Sequence, residues 1–99
     1  MSRQVTRESI NYFLNGQNKK VSNTEIKDNN YYLFNNCIAK LVNNDLYIRI
    51  YYNSATTRER LNGFKEFGYN ISVTQRNSMP YINNKLVEDY YKWYKVEKI

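Results

Sequence analysis

Asparagine pairs punctuate this chain, and the runs between them are too short and too alternating for helices. Asn29-Asn30, Asn35-Asn36, Asn43-Asn44 and Asn83-Asn84 each separate two apolar segments. Asn tolerates the left-handed backbone of a tight hairpin turn better than any residue except Gly. Segments 21–26, 31–34, 37–42 and 45–52 therefore read as strands of a β-meander, each turn followed at once by the next run. Segment 69–75 alternates in the same way, Arg76-Asn77-Ser78 turns, and 79–82 returns with Pro80 at the start of its strand, where a missing N–H does least harm.

Two stretches break this period. Over 6–15, Ile10, Phe13 and Leu14 recur at helical spacing, with Thr6 placed to cap and Gly16 to stop; polar residues 17–20 then read as a basic turn. Thr56, followed three residues later by Glu59, matches a capping box, and Leu61, Phe64 and Phe67 give one apolar face before Gly68. The expectation is an α+β chain of one domain: an antiparallel β-sheet (meander, four to six strands) with a short N-terminal helix and a second helix near 57–66. The last stretch, 85–99, fits two patterns. Leu86, Tyr90 and Trp93 suit a helix; Tyr91, Trp93 and Lys95 suit one face of a strand, and an extended segment ending in a frayed tail is the favoured reading.

Segment 45–52 carries the main binding signal. Leu46, Ile48, Ile50 and Tyr52 alternate with Tyr47, Arg49 and Tyr51. A slip of one residue would drive Arg49 into the core, so the isoleucine face must be the inner one. Tyr47, Arg49 and Tyr51 would then stand about 7 Å apart on the outer face, a spacing suited to stacking unpaired bases. The same residues suit an ordinary strand surface, or the second helix could pack on them. A helix start flanked by Arg58 and Arg60 forms a second candidate, able to hold a phosphate or carboxylate unless the capping box already satisfies its amides. In the aromatic tail, Lys92 and Lys95 read as surface cations and Trp93 as core. The net charge of +6 favours acidic partners, and eleven tyrosines supply rings that serve core and surface alike.

Catalysis is not expected. The chain has no His, its carboxylates are scattered, and the adjacent Glu88-Asp89 would diverge on a strand or a helix. The three glycines form no phosphate loop, and no metal or cofactor is implied. The single Cys37 lacks a partner for a disulfide, which suits a reducing compartment. No apolar run approaches a membrane span and Met1-Ser2-Arg3-Gln4 opens without a signal-peptide core, so a cytoplasmic protein with no membrane partner is expected.

Five stretches in order, YFLNG (12–16), SNTEI (22–26), LFNNCIAKL (33–41), YNSATTRERLNG (52–63) and NISVTQRNSMPYINNK (70–85), resemble a family of small phage and prophage proteins of low-GC bacteria, a domain of unknown function. The most specific element is TTRERLNG at 56–63. Asn35 and Asn84 stand where that pattern has Gly, and Tyr51-Tyr52 where it has Gly-Trp. The resemblance implies a mobile-element origin and life in the host cytoplasm, and brings no reaction with it. Together with the surface it points to a non-catalytic inhibitor of a host defence or nucleic-acid enzyme, anti-CRISPR-like, bound to a host protein or nucleoprotein complex through Tyr47, Arg49, Tyr51, Arg58, Arg60, Lys92 and Lys95. The alternatives are direct DNA or RNA binding, and a structural phage protein that dimerises through a strand edge.

Overall fold

In the computed structural model, residues 3–99 are described, and their order is α1 (Gln4–Leu14), β1 (Lys19–Val21), β2 (Thr24–Lys27), β3 (Asn30–Leu33), β4 (Asn36–Val42), β5 (Asp45–Ile48), α2 (Ala55–Asn62), a 3-10 helix (Gly63–Phe67), β6 (Val73–Arg76), β7 (Met79–Ile82), β8 (Lys85–Leu86) and β9 (Tyr94–Val96). The α+β expectation holds. A six-stranded antiparallel sheet runs β1-β2-β3-β4-β5-β9, and β6-β7-β8 form a second, three-stranded one.

Turn chemistry sets this meander. Asp28-Asn29, Phe34-Asn35, Asn43-Asn44, Asn77-Ser78 and Asn83-Asn84 each close a two-residue hairpin with positive φ at both positions. That is the type I′ turn, whose twist matches the strands it joins. Two turns fall one residue before their Asn pair, so Asn30 and Asn36 open strands. Asp28 accepts the left-handed backbone as Asn does, and Asn30 donates its amide to Asp28 O at 3.3 Å. Local turn chemistry gives no such reason for Phe34. A further hairpin, through Ser22-Asn23, splits the expected strand 21–26 into β1 and β2, and Lys19 and Lys20 are strand residues, not a turn.

Both helices start two residues early. Thr6 does not cap α1; it lies in the helix, fully buried beside Ser9, Ile10 and Phe13 on the face that meets the sheet. Gly16 at φ +69 ends the helix as expected. Ser54 rather than Thr56 caps α2, accepting from Thr57 N at 3.1 Å. Glu59 is therefore free of the capping box and turns toward α1. The 3-10 helix continues α2 to Gly68, which stops it at φ +92. Asn62 clamps this unit to β6, donating to Val73 O at 2.8 Å and accepting from Val73 N at 2.7 Å.

The core lies between one face of the large sheet and these helices. Phe13, Tyr31, Phe64 and Tyr69 meet edge to face with centroids 5.7–6.2 Å apart along the chain of contacts Phe64–Phe13, Phe13–Tyr31, Tyr31–Phe64 and Phe64–Tyr69. Ile26, Leu33, Ile38, Ala39, Leu46, Ile48 and Val96 complete the sheet side. The tail is a strand, not a helix, and it is tied to its end: Asn70 N donates to Glu97 O and Ile99 N to Gly68 O, each at 2.8 Å. β6 is shorter than expected, because Tyr69 pairs with Lys98 instead of continuing it.

Tyr31 makes the fold alkali-sensitive. Its hydroxyl is 2.7 Å from Ser9 Oγ in the core, and burial pushes its pKa from 10.0 up to about 12. Between those values the unfolded chain releases a proton that the folded chain keeps. The contribution is thus fully present below pH 10 and lost as pH rises toward 12, about 3 kcal/mol in all. Urea melts from pH 9 to 12 should show this loss for the wild type and a smaller one for Tyr31→Phe.

Candidate functional site

The helices cover one face of the six-stranded sheet, so the alternate side chains of β4, β5 and β9 look away from them. Across the strands Lys40 pairs with Tyr47 and Tyr47 with Lys95. Arg49 follows two residues beyond Tyr47, and Trp93 two before Lys95, on that same outer side. The Ile48 and Ile50 side is buried, as the alternation requires.

These side chains form a continuous row. Lys40 Nζ lies 4.3 Å from the Trp93 ring centroid and 6.0 Å from that of Tyr47. Arg49 Cζ lies 4.2 Å from Trp93 and 5.0 Å from Tyr51. Tyr51 meets Tyr91 edge to face at 5.1 Å. Each such cation–ring contact contributes roughly 0.5–2 kcal/mol, more where water is excluded. Arg49 is fixed further by donating Nε–H to Cys37 O at 2.8 Å. Lys95 sits at the end of the row, 3.8 Å from Asp45 and 3.7 Å from Glu97 in exposed pairs that hold it weakly.

Tyr51 reaches the row by another route than expected, and Arg58, Arg60 and Lys92 lie elsewhere. Tyr51 leaves the strand: β5 ends at Ile48, and Tyr51 takes φ +58 while Tyr52 N donates to Ile50 O across it. This tight turn reverses the alternation, so Tyr52, expected inside, is 67% exposed. Arg58 points to the β6–β7 hairpin, donating to Asn53 Oδ1 at 2.5 Å and Gln75 Oε1 at 3.0 Å. Arg60 is no surface cation at 3% exposure; it donates to Thr6 Oγ1 at 2.7 Å and to Glu59 Oε1 at 2.6 Å. Its place in the core follows from helical spacing: Thr57, Arg60, Leu61 and Phe64 fall at i, i+3, i+4 and i+7 and share the buried face. Lys92 lies over the Tyr94 ring, and Tyr94 pairs with core-side Ile48, so Lys92 falls outside the row.

Lys40 and Trp93 are the members that sequence reasoning missed. Trp93, expected in the core, is half-buried on the outer face. Both show the right alternation, Lys40 between Ala39 and Leu41 and Trp93 two residues from Lys95. Only the pairing of the tail with β5, fifty residues away, joins them.

Burial pushes the Cys37 thiol up from its ordinary value, and its nearest polar contact is Ala39 O at 3.4 Å. Among the described residues no three His, Cys, Asp or Glu side chains gather as a metal site, and no helix is long and apolar enough to cross a membrane.

A protein-family model described as Kyanoviridae Gp96 protein matches residues 2–97. No curated protein and no solved structure matches the chain.

Proposed function

The chain belongs to the Kyanoviridae Gp96 family of phage proteins, and from that premise we propose that it is a non-catalytic binding protein whose outer sheet face docks on an acidic surface of a host protein or nucleoprotein complex. The most concrete form of this reading is an inhibitor of a host defence or nucleic-acid enzyme, anti-CRISPR-like, acting in the host cytoplasm. The observation that carries it is Trp93 beneath Lys40 and Arg49. The ring holds two cations in fixed positions on an uncovered sheet. Arg49 has spent Nε–H on Cys37 O, and its other N–H groups and the Lys40 ammonium have no hydrogen-bond partner among the described residues. Preset cations lose little entropy when a carboxylate arrives, and such charge-assisted bonds are the strong ones.

Base stacking fits less well. A single-strand platform presents bare aromatic faces, whereas here the protein's own cations lie over Trp93, Tyr47 and Tyr51. Capture from host lysate tests the choice. One stoichiometric host protein should be retained, and Lys40→Glu with Arg49→Glu should weaken it about a hundredfold, at ~1.4 kcal/mol for each tenfold. A band shift with nucleic acid at low salt that fades steeply as salt rises would support the nucleic-acid alternative instead. Recovery of this chain alone, as a dimer, would favour the structural role.

A further inference from the structure

Phe34 and Tyr51 hold backbone conformations that aromatic residues avoid, at φ +51 and +58. The other non-glycine positions with positive φ carry Asn, Asp or Ser. For a bulky side chain this region is strained, and strain that persists needs a reason outside local stability. Exposure singles out the same place: Phe34 is 57% exposed and Tyr52, just past the strained Tyr51, 67%. All three rings line one cleft of about 270 Å³. Buried Leu33 and Ile38 form its floor, and the two exposed rings stand at its rim.

We propose that this cleft anchors a large apolar side chain of a partner protein, with a carboxylate one or two residues away in that partner reaching Arg49. This rests on reading the outer sheet face as a protein-docking surface. The volume lies below the ordinary range of small-molecule pockets and suits a side chain. Tyr51 is a wall of the cleft and also touches the Arg49 guanidinium, so the apolar anchor site is continuous with the cationic row. Charge complementarity at that junction selects an acidic neighbour. A nucleobase is a poorer occupant, because its edge needs hydrogen-bond partners. The Thr57 hydroxyl is engaged with Ser54 Oγ at 2.9 Å, leaving Asn36 as the one side-chain amide lining the cleft. Buried aromatic anchors in such pockets carry most of the energy of protein interfaces.

Phe34→Asn separates function from stability. Asn is suited to the first position of a type I′ turn, so the variant should melt about 5 °C higher than wild type. A displayed library of random twelve-residue peptides, panned on the full chain, should enrich a large apolar residue with Asp or Glu within two positions. Those peptides should bind Phe34→Asn at least about tenfold more weakly despite its greater stability. Equal binding by the variant, or no enrichment, would overturn the proposal. So would an oligothymidine probe, or self-association of the chain, that depends on Phe34 while the peptides do not. Peptides that respond to Lys40→Glu and Arg49→Glu but ignore Phe34→Asn would leave the sheet face as the docking surface and remove the cleft. Peptides that respond only to Phe34→Asn would remove the sheet face as the docking surface, and with it the carboxylate on Arg49.

Discussion

Glu59→Ala should lower unfolding stability by about 3 kcal/mol, far more than loss of an ordinary half-exposed carboxylate. The reason lies in its neighbour. The Arg60 side chain is 4% exposed, and its charge is met by Glu59 Oε1 at 2.6 Å and the Thr6 hydroxyl at 2.7 Å. Thr6 in turn donates to Glu59 Oε2 at 2.5 Å, so the three groups close a ring that joins α1 to α2. Arg60 Nε already lacks a partner. Removing Glu59 strips the cation of its counter-charge and leaves Thr6 as its one hydrogen-bond partner among the described residues; Arg3, 3.4 Å from Glu59 and largely exposed, adds little to the ring. Replacing both charges avoids that state. Glu59→Ala with Arg60→Met should recover at least half of the loss, because an apolar chain of similar length fills the same space. Urea denaturation of the two single variants and the double measures this. A double variant as unstable as the sum of the singles would show that the two charges are not coupled, and would remove the buried-cation account.

This triad also marks where sequence reasoning ran out. A helix near 57–66 was legible from Leu61, Phe64 and Gly68, but its start was not. Thr56 with Glu59 and Ser54 with Thr57 both satisfy the local chemistry of a cap, and only packing against α1 decides between them. The earlier cap releases Glu59, which meets an Arg60 that shares the buried face of Leu61 and Phe64. The hairpins show the complementary case. Asn43-Asn44 and Asn83-Asn84 turn where the pairs stand, since a type I′ turn depends on two residues alone. Phe34-Asn35 does not follow from that rule, and the misfit points to the cleft. The outer face was half legible: alternation placed Tyr47 and Arg49, and the Asn43-Asn44 hairpin sets Lys40 opposite Tyr47, while Trp93 needed a strand pairing across half the chain. Local pattern fixes which way a side chain points; which strand lies beside it is a non-local fact.

Phe64→Ala should be the most damaging single truncation, costing about 4 kcal/mol and lowering the melting midpoint by roughly 20 °C. Phe64 is fully buried at the junction of three parts of the fold. Its ring meets Phe13 of α1 at 5.7 Å, Tyr31 of β3 at 6.2 Å and Tyr69, which bridges to the tail, at 6.0 Å. The 3-10 helix holds it there, between the Asn62 clamp on β6 and the Gly68 stop. No neighbour can slide into the gap, since each ring around it is anchored on a different element, so the cavity term adds to the lost transfer energy. Phe67, half-buried in the same short helix, is the control: Phe67→Ala should cost about 1 kcal/mol. Phe64→Leu should fall between the two, keeping most of the volume and losing the edge-to-face contacts. The damage should also reach the outer face. Tyr69 pairs with Lys98, and that bridge helps hold β9, and Trp93 just before it, against β5. In Phe64→Ala, kept folded at low temperature, Trp93 fluorescence should shift to the red as the tail loosens and water reaches the ring. An unmoved Trp93 spectrum would show that β9 holds its place through its pairing with β5 alone.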